Sequence, residues 1–196
     1  WMFGAGGDDV LVGDHARVDY YQDGYVRRVE SIFPGIGGDD YILGEAGDDV
    51  IIAGDGADVA EGGDGADVIH GDHAWVEHTG GDFTSTGTRY AGVGGDDLLS
   101  GDDEGDVLFG SAGADVLHGN SGDDLLVGDY GQYTHNAIDG WQFTSALDED
   151  TDNAAGPHND QLFGDENDDV LVGGLDSDVL HGNSGDDILL GDRGTW

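Results

Sequence analysis

The 196-residue sequence has no cysteine, no lysine, two prolines and only five arginines. The absence of cysteine excludes disulfide bonds and thiolate metal sites. Because 44 acidic residues give a formal net charge of −39, the chain lacks the cationic surface that phosphate backbones require, which excludes nucleic acid as a partner. It also lacks any apolar run of transmembrane length, so we expect no membrane insertion.

Glycine, in contrast, is abundant, with 39 residues placed at regular intervals between aspartates and aliphatic residues. Aligned on these glycines, most of the chain divides into nonapeptides such as GEAGDDVII (44–52) and GNSGDDLLV (119–127). Thirteen complete nonapeptides cover 117 of the 196 residues, in blocks at 4–12, 35–70, 92–127 and 155–190. Repetition at a fixed short period is typical of a solenoid, in which each repeat packs on its neighbours.

Two positions of the nonapeptide are nearly invariant. The sixth is aspartate in all thirteen copies, and the eighth is leucine or isoleucine in every copy except that of Ala60. The first six residues, rich in Gly, Asp and Asn, predict a turn, and the last three predict a short strand with the eighth side chain inward. Two nonapeptides would close one coil, so each sixth-position aspartate lies beside the one two copies later, as with Asp97 and Asp115.

Stacked carboxylates repel one another unless a hard cation lies between them, and calcium prefers carboxylate and carbonyl oxygens. The sequence therefore predicts the sixth-position aspartates as metal ligands. They are Asp9, Asp40, Asp49, Asp58, Asp67, Asp97, Asp106, Asp115, Asp124, Asp160, Asp169, Asp178 and Asp187. The fourth position is expected to need a left-handed backbone that glycine adopts readily, and Glu104 and His158 fit it less well.

The pattern G-G-x-G-x-D-x-U-x, in which U is a large aliphatic residue, resembles the RTX (repeats-in-toxin), or hemolysin-type, calcium-binding nonapeptide repeat. The resemblance implies an all-β fold, a right-handed parallel β-roll (β-solenoid), with multiple calcium ions bound between turns by the sixth-position aspartates and turn carbonyls. It also implies a secreted bacterial protein, extracellular or on the cell surface, that leaves the cell by type I secretion and folds on meeting external calcium.

The period is interrupted three times, and the last residues look like the start of a fourth interruption in one continuous array. These segments are 13–34, 71–91 and 128–154, with 191–196 at the end. The first and third contain Asp-Gly pairs, Asp23-Gly24 and Asp139-Gly140, which are strong signals for two-residue hairpin turns, and the second turns near Gly80-Gly81. Each interruption therefore predicts a β-hairpin insertion. The Gly-Asp pair that opens each interruption also predicts extra metal ligands at the block ends, at Asp14, Asp72, Asp129 and Asp192.

All five arginines lie outside the nonapeptides, four of them in the hairpins, which also hold most of the aromatic residues. This leaves two interpretations of the hairpins open. They are either lateral surfaces for self-association or for other extracellular proteins and glycans, or covers that fold back on their own roll. In the first case the contact residues are the arginines with Tyr21, Tyr25, Trp75 and Trp141, and Arg27 and Arg28 would meet the acidic face of a neighbouring chain.

We find no catalytic constellation, so we expect a protein that is not an enzyme. The regular alternation of repeats and insertions, and ends that look cut from a longer chain, favour a structural array such as an adhesin extender, a surface-layer element or a filament element. The alternative is a β-roll export and folding module of a type I-secreted enzyme or toxin. The acidic segment 148–153 begins like a calcium loop but lacks the closing glutamate of an EF-hand.

Overall fold

The computed structural model describes residues 1–136, 140–145 and 158–192, and over these residues the chain forms strands and no helix. In chain order the strands are β1 (Met2–Gly6), β2 (Val10–Val12), β3 (Ala16–Tyr20), β4 (Val26–Ser31), β5 (Tyr41–Ala46), β6 (Val50–Ile52), β7 (Val59–Asp64), β8 (Val68–His70), β9 (Ala74–Thr79), β10 (Asp82–Thr88), β11 (Leu98–Asp103), β12 (Val107–Phe109), β13 (Val116–Ser121), β14 (Leu125–Val127), β15 (Gly131–Asn136), β16 (Gly140–Ser145), β17 (Gln161–Glu166), β18 (Val170–Gly174), β19 (Val179–Ser184) and β20 (Ile188–Asp192).

Successive nonapeptides contribute strands alternately to two parallel sheets. The first roll sheet has the order β1-β5-β7-β11-β13-β17-β19, and the second roll sheet has the order β2-β6-β8-β12-β14-β18-β20. Equivalent positions pair between coils, as in Leu108 with Leu126 and Ile51 with Ile69. This is the predicted β-roll, in which two nonapeptides make one coil.

The interior of the roll is a ladder of eighth-position side chains, as the sequence predicts. The buried cluster between the two roll sheets consists of the first-position Ala53 and the eighth-position Leu11, Ile42, Ile51, Ala60, Ile69, Leu99, Leu108, Leu117, Leu126, Leu162 and Leu171. Ala60 is buried in this ladder although it fills less space than its neighbours. Each roll sheet contributes one row of side chains to this core.

The turns between strands use a left-handed backbone at the second and fourth positions of each uninterrupted nonapeptide. Glu104 follows this rule with a φ of 76°, even though it is neither glycine nor asparagine. His158 does not have a positive φ, and neither do Gly38 and Gly95, which occupy the same position after the other two insertions. The difference therefore depends on the insertion before the turn and not on the residue type.

The first two insertions form antiparallel hairpins. Strands β3 and β4 pair, and their connection contains Asp23 and Gly24, with Gly24 at a φ of 98°. Strands β9 and β10 pair across Gly80 and Gly81, with φ values of 70° and 103°. Strands β15 and β16 also pair, but Asp139 of the predicted third turn lies outside the described residues, as do segments 146–157 and 193–196.

The three hairpins join into one six-stranded antiparallel sheet, the hairpin sheet, with the order β16-β15-β10-β9-β4-β3. Its inner face packs on the second roll sheet: Val29 and Val76 of the hairpins share one buried cluster with Ile52, Phe109 and Val127 of the roll. The interpretation in which the hairpins fold back on their own roll is thus confirmed. The first roll sheet has no such cover in the described part of the chain.

The outer face of the hairpin sheet carries a network of ion pairs. Glu30 lies 3.0 Å from Arg28 and 2.6 Å from Arg89, while Arg28 also pairs with Glu77 and lies 4.9 Å from the ring centroid of Trp75. Most of this network is therefore internal to the sheet. Arg27, which pairs with Asp19 at 3.2 Å, is more exposed than Arg28.

We predict that the contact between the roll and the hairpin sheet contributes strongly to stability. Phe109 and Phe163 are both ninth-position residues, but Phe109 is buried under the hairpin sheet, whereas Phe163 lies on the outer face of the first roll sheet. In saturating calcium, Phe109→Ala should lower the free energy of unfolding by about 3–5 kcal/mol, and the control Phe163→Ala should lower it far less. Equal losses in urea titrations of the two variants would contradict this prediction.

Candidate metal centre

The structure places the thirteen sixth-position aspartates in two columns along the roll, at the turns on its two edges. One column contains Asp9, Asp49, Asp67, Asp106, Asp124, Asp169 and Asp187. The other contains Asp40, Asp58, Asp97, Asp115, Asp160 and Asp178. The predicted proximity of aspartates two copies apart is confirmed, as with Asp97 and Asp115.

The columns continue across all three insertions, which the sequence alone did not predict. The backbone N–H of Asp58 donates to Oδ1 of Asp97 at 2.8 Å, across the second insertion, as that of Asp97 donates to Asp115 at 2.8 Å within a block. The N–H of Asp115 likewise donates to Asp160 across the third insertion. The coils before and after each insertion therefore stay in register.

The second carboxylate oxygen of these side chains is left without a hydrogen-bond partner. Among the described residues the buried, unpartnered Oδ2 atoms belong to Asp9, Asp49, Asp58, Asp67, Asp97, Asp106, Asp115, Asp124, Asp160, Asp169 and Asp178. A buried carboxylate oxygen that accepts no hydrogen bond is strongly unfavourable, because burial removes its water. Each of these eleven oxygen atoms therefore requires a cation or a proton as a partner.

A main-chain carbonyl oxygen lies close to most of these unpartnered oxygens. A Cβ atom built on Gly62 would overlap both Oδ2 of Asp67 and the carbonyl oxygen of Gly101, which belongs to the next coil. Gly119 has the same relation to Oδ2 of Asp124 and the carbonyl oxygen of Gly164. At these glycines a side chain would fill the space between the two oxygens, although Ala53 holds the same position in one nonapeptide. A carboxylate and a carbonyl oxygen at one small space are the ligands that calcium prefers.

Burial and like charges raise the pKa values of the column aspartates. Burial, with the neighbouring Asp115, raises the pKa of Asp97 to about 9, and burial raises that of Asp106 to about 9. Burial likewise raises the pKa of Asp160 to about 8 and that of Asp67 to about 7. Without a cation, the folded roll therefore holds protons on carboxyl groups that would ionise in water.

The donor set fits calcium better than a transition metal. The described residues contain no group of three or more His, Asp or Glu side chains arranged to hold a metal ion. Each candidate site offers carboxylate and main-chain oxygens instead, which suits a hard cation that takes six to eight oxygen ligands.

The comparison with known families agrees with this chemistry. A sequence model of the RTX calcium-binding nonapeptide repeat, four copies per unit, matches residues 34–69, 91–126 and 163–195, which is more than half of the chain. The chain belongs to this family and is a calcium-binding β-roll segment. A search of curated proteins found no match.

None of the described residues forms a helix that is long and apolar enough to cross a membrane.

We predict that folding of the calcium-stripped chain depends on pH. An unfolded aspartate has a pKa near 3.8, whereas Asp97 and Asp106 of the metal-free roll keep their protons up to a pH of about 9. Because the folded state binds more protons, its stability is greatest at low pH and is lost as the pH rises from about 4 to about 9. Circular dichroism should show more β-structure at about pH 5 than at about pH 8.

In saturating calcium, the same pH change should have little effect, because the bound ions stabilise the ionised carboxylates. A calcium-stripped chain whose β-structure increased with pH would contradict this account of the aspartate columns.

Proposed function

We propose that the sixth-position aspartates bind calcium between successive coils and that this binding folds the chain, which serves as a structural array in a secreted extracellular protein. The observation that carries the proposal is the double column of carboxylates, most of which have one oxygen bonded to the neighbouring coil and the other buried and unpartnered. A cation between coils would satisfy these oxygens and link the coils at the same point.

The free energy available from calcium is large enough for this role. At roughly 1 mM calcium and a dissociation constant of about 10⁻⁴ M, each site adds about 1.4 kcal/mol, so ten sites add on the order of 14 kcal/mol. That is comparable to the stability of a whole domain. One ion for each of the thirteen nonapeptides would also offset roughly 26 of the 39 negative charges.

The regular alternation of coils and hairpins supports the array as an adhesin extender, a surface-layer element or a filament element. A continuous roll with a second sheet along one flank is thicker than a bare roll and more resistant to bending. Tyr20 and Tyr25 lie exposed on the first hairpin together with Arg17 and Arg27. These four residues are our proposed lateral contact surface, for a second copy of the chain or for other extracellular proteins or glycans.

A second candidate is an export and folding module of a type I-secreted enzyme or toxin. The observation that favours it is the clustering of buried like charges, which opposes folding wherever calcium is scarce. A chain that stays unfolded inside the cell and folds outside is suited to export through a narrow channel. Both candidates share the calcium sites and differ in what the folded roll does.

Two adjacent aspartates provide a matched test of the calcium ligands. Asp124 and Asp123 each accept one backbone N–H from a neighbouring coil, but Asp124 is buried with Oδ2 unpartnered, whereas Asp123 is exposed. We expect Asp124→Asn to bind fewer calcium ions and to fold at several-fold higher calcium, because one ligand charge is lost. Asp123→Asn should titrate like the unmodified chain. Identical calcium titrations of the two variants would refute the ligand assignment.

Sedimentation velocity tests the role of the folded roll. We expect the chain to be expanded in chelator and to become compact in about 1 mM calcium, because the ions remove the repulsion between carboxylates. Growth to large species on compaction would support the filament or surface-layer role. Compaction at constant monomer mass would favour a lone extender or the export module, and no compaction would contradict calcium-dependent folding.

A further inference from the structure

The Gly-Asp pair that opens each insertion belongs structurally to the roll. A Cβ on Gly71 would overlap Oδ2 of Asp97, and a Cβ on Gly128 would overlap Oδ2 of Asp160, which is the relation that first-position glycines have elsewhere. The hairpin therefore leaves the roll after the second position of a nonapeptide. The residues that hold this second position, the junction aspartates, are Asp14, Asp72 and Asp129.

The junction aspartates differ from second-position aspartates of ordinary turns. Asp102 and Asp165 have positive φ values of 82° and 78°, and their side chains are partly exposed. Asp72 and Asp129 have no positive φ, and they are only 1% and 3% exposed. The same residue type at the same repeat position thus turns inward where a hairpin is inserted.

Hydrogen bonds fix the carboxylate of Asp72 between two consecutive turns of the roll. Its Oδ1 accepts the N–H of Gly95 at 3.2 Å, and its Oδ2 accepts the N–H of Ala112 at 2.7 Å. Gly95 belongs to the turn of Asp97, and Ala112 belongs to the turn of Asp115. Asp72 therefore occupies the same inter-coil region as the pair of column aspartates.

The arrangement recurs at the other junctions. Oδ2 of Asp129 accepts the N–H of Leu175, and Oδ2 of Asp14 accepts that of Asp55 at 2.6 Å. Leu175, Asp55 and Ala112 are all third-position residues of the next coil. Asp129 has one additional neighbour, because Nδ1 of His158 lies 2.9 Å from its Oδ1.

Two buried polar atoms without a partner belong to the same two turns that donate hydrogen bonds to Asp72. Oδ2 of Asp97, a residue 3% exposed, has no hydrogen-bond partner and lies against Gly71, the residue before Asp72. The hydroxyl of Ser111, the neighbour of Ala112, is also buried and unpartnered. These atoms point to a ligand that is held between the two turns.

We propose that the tightest calcium site of the roll lies between the turns of Asp97 and Asp115. There Asp72 adds a third buried carboxylate beside the usual two. The proposal rests on the function proposed above. Calcium affinity rises with the number of ligand charges and the rigidity of the site, and Asp72 supplies a charge that two backbone N–H groups hold in place.

The carboxylate of Asp72 acts through its charge beside the ion, since the described residues include no ready-made group of three side-chain ligands. Asp129 plays the same part at the third insertion with a smaller effect, because its carboxylate already has His158 as a neighbour. Calcium thus fills the roll first at the points where hairpins leave it.

The test is the calcium-binding isotherm of the full chain, measured by equilibrium dialysis for Asp72→Asn and for the control Asp102→Asn. The control removes the same charge from the same repeat position of an ordinary turn, where the side chain is partly exposed and accepts hydrogen bonds from Ser100 and Asn120. We expect the first ions to bind about tenfold more weakly in Asp72→Asn and with unchanged affinity in Asp102→Asn.

An unchanged first class of ions in Asp72→Asn, together with an altered isotherm in Asp124→Asn, would overturn this inference and leave the proposed function intact. An unaltered isotherm in Asp124→Asn would instead reject the proposed function itself. If Asp72→Asn fails to fold even in high calcium, Asp129→Asn decides: weaker binding of early ions supports a charge role for the junction aspartates, and unchanged binding rejects it.

Discussion

Repulsion between stacked, buried carboxylates is the constraint on which this structure depends. The coils bring each column aspartate against the next, and the backbone satisfies only one of its two oxygens. The apolar clusters inside the roll and under the hairpin sheet do not relieve that repulsion, because apolar contacts leave the charges in place. Under the proposed function cations relieve it, and at low pH protons do so.

Much of the roll could be predicted from the sequence, because its two determinants are local and periodic. The fixed spacing between the aspartate and the aliphatic residue predicts the strand and its inward side chain. It also predicts that aspartates two copies apart are neighbours, as with Asp106 and Asp124. The pairing of Asp58 with Asp97 was not predictable in this way, since the intervening insertion hides the continuity of the coils. Glu104 takes a left-handed backbone against its own preference, because the neighbouring coils fix the turn.

The placement of the hairpins needed tertiary information. Their strands alternate in polarity, and such a strand can bury its apolar face against the roll or against a partner protein. In the structure the apolar face is buried against the roll: Val29 pairs with Val76 of the next hairpin, and both pack on the second roll sheet. The junction aspartates could be singled out from the sequence as extra ligands, because each lies in the Gly-Asp pair that opens an interruption. Their inward turn could not be predicted, since Asp72 and Asp102 both follow glycine.

Because the hairpins join into one sheet, the number of nonapeptides between consecutive insertions is constrained. Every insertion leaves from a strand of the second roll sheet, namely β2, β8 or β14, and four nonapeptides separate consecutive insertions. Four nonapeptides make two coils, which rise by about 9.6 Å, the width of the two strands that one hairpin contributes. An odd number would send the next hairpin to the opposite flank. Four nonapeptides satisfy both conditions, because an even number keeps the hairpins on one flank and two coils match the width of one hairpin, so the covering sheet fixes the spacing of the insertions.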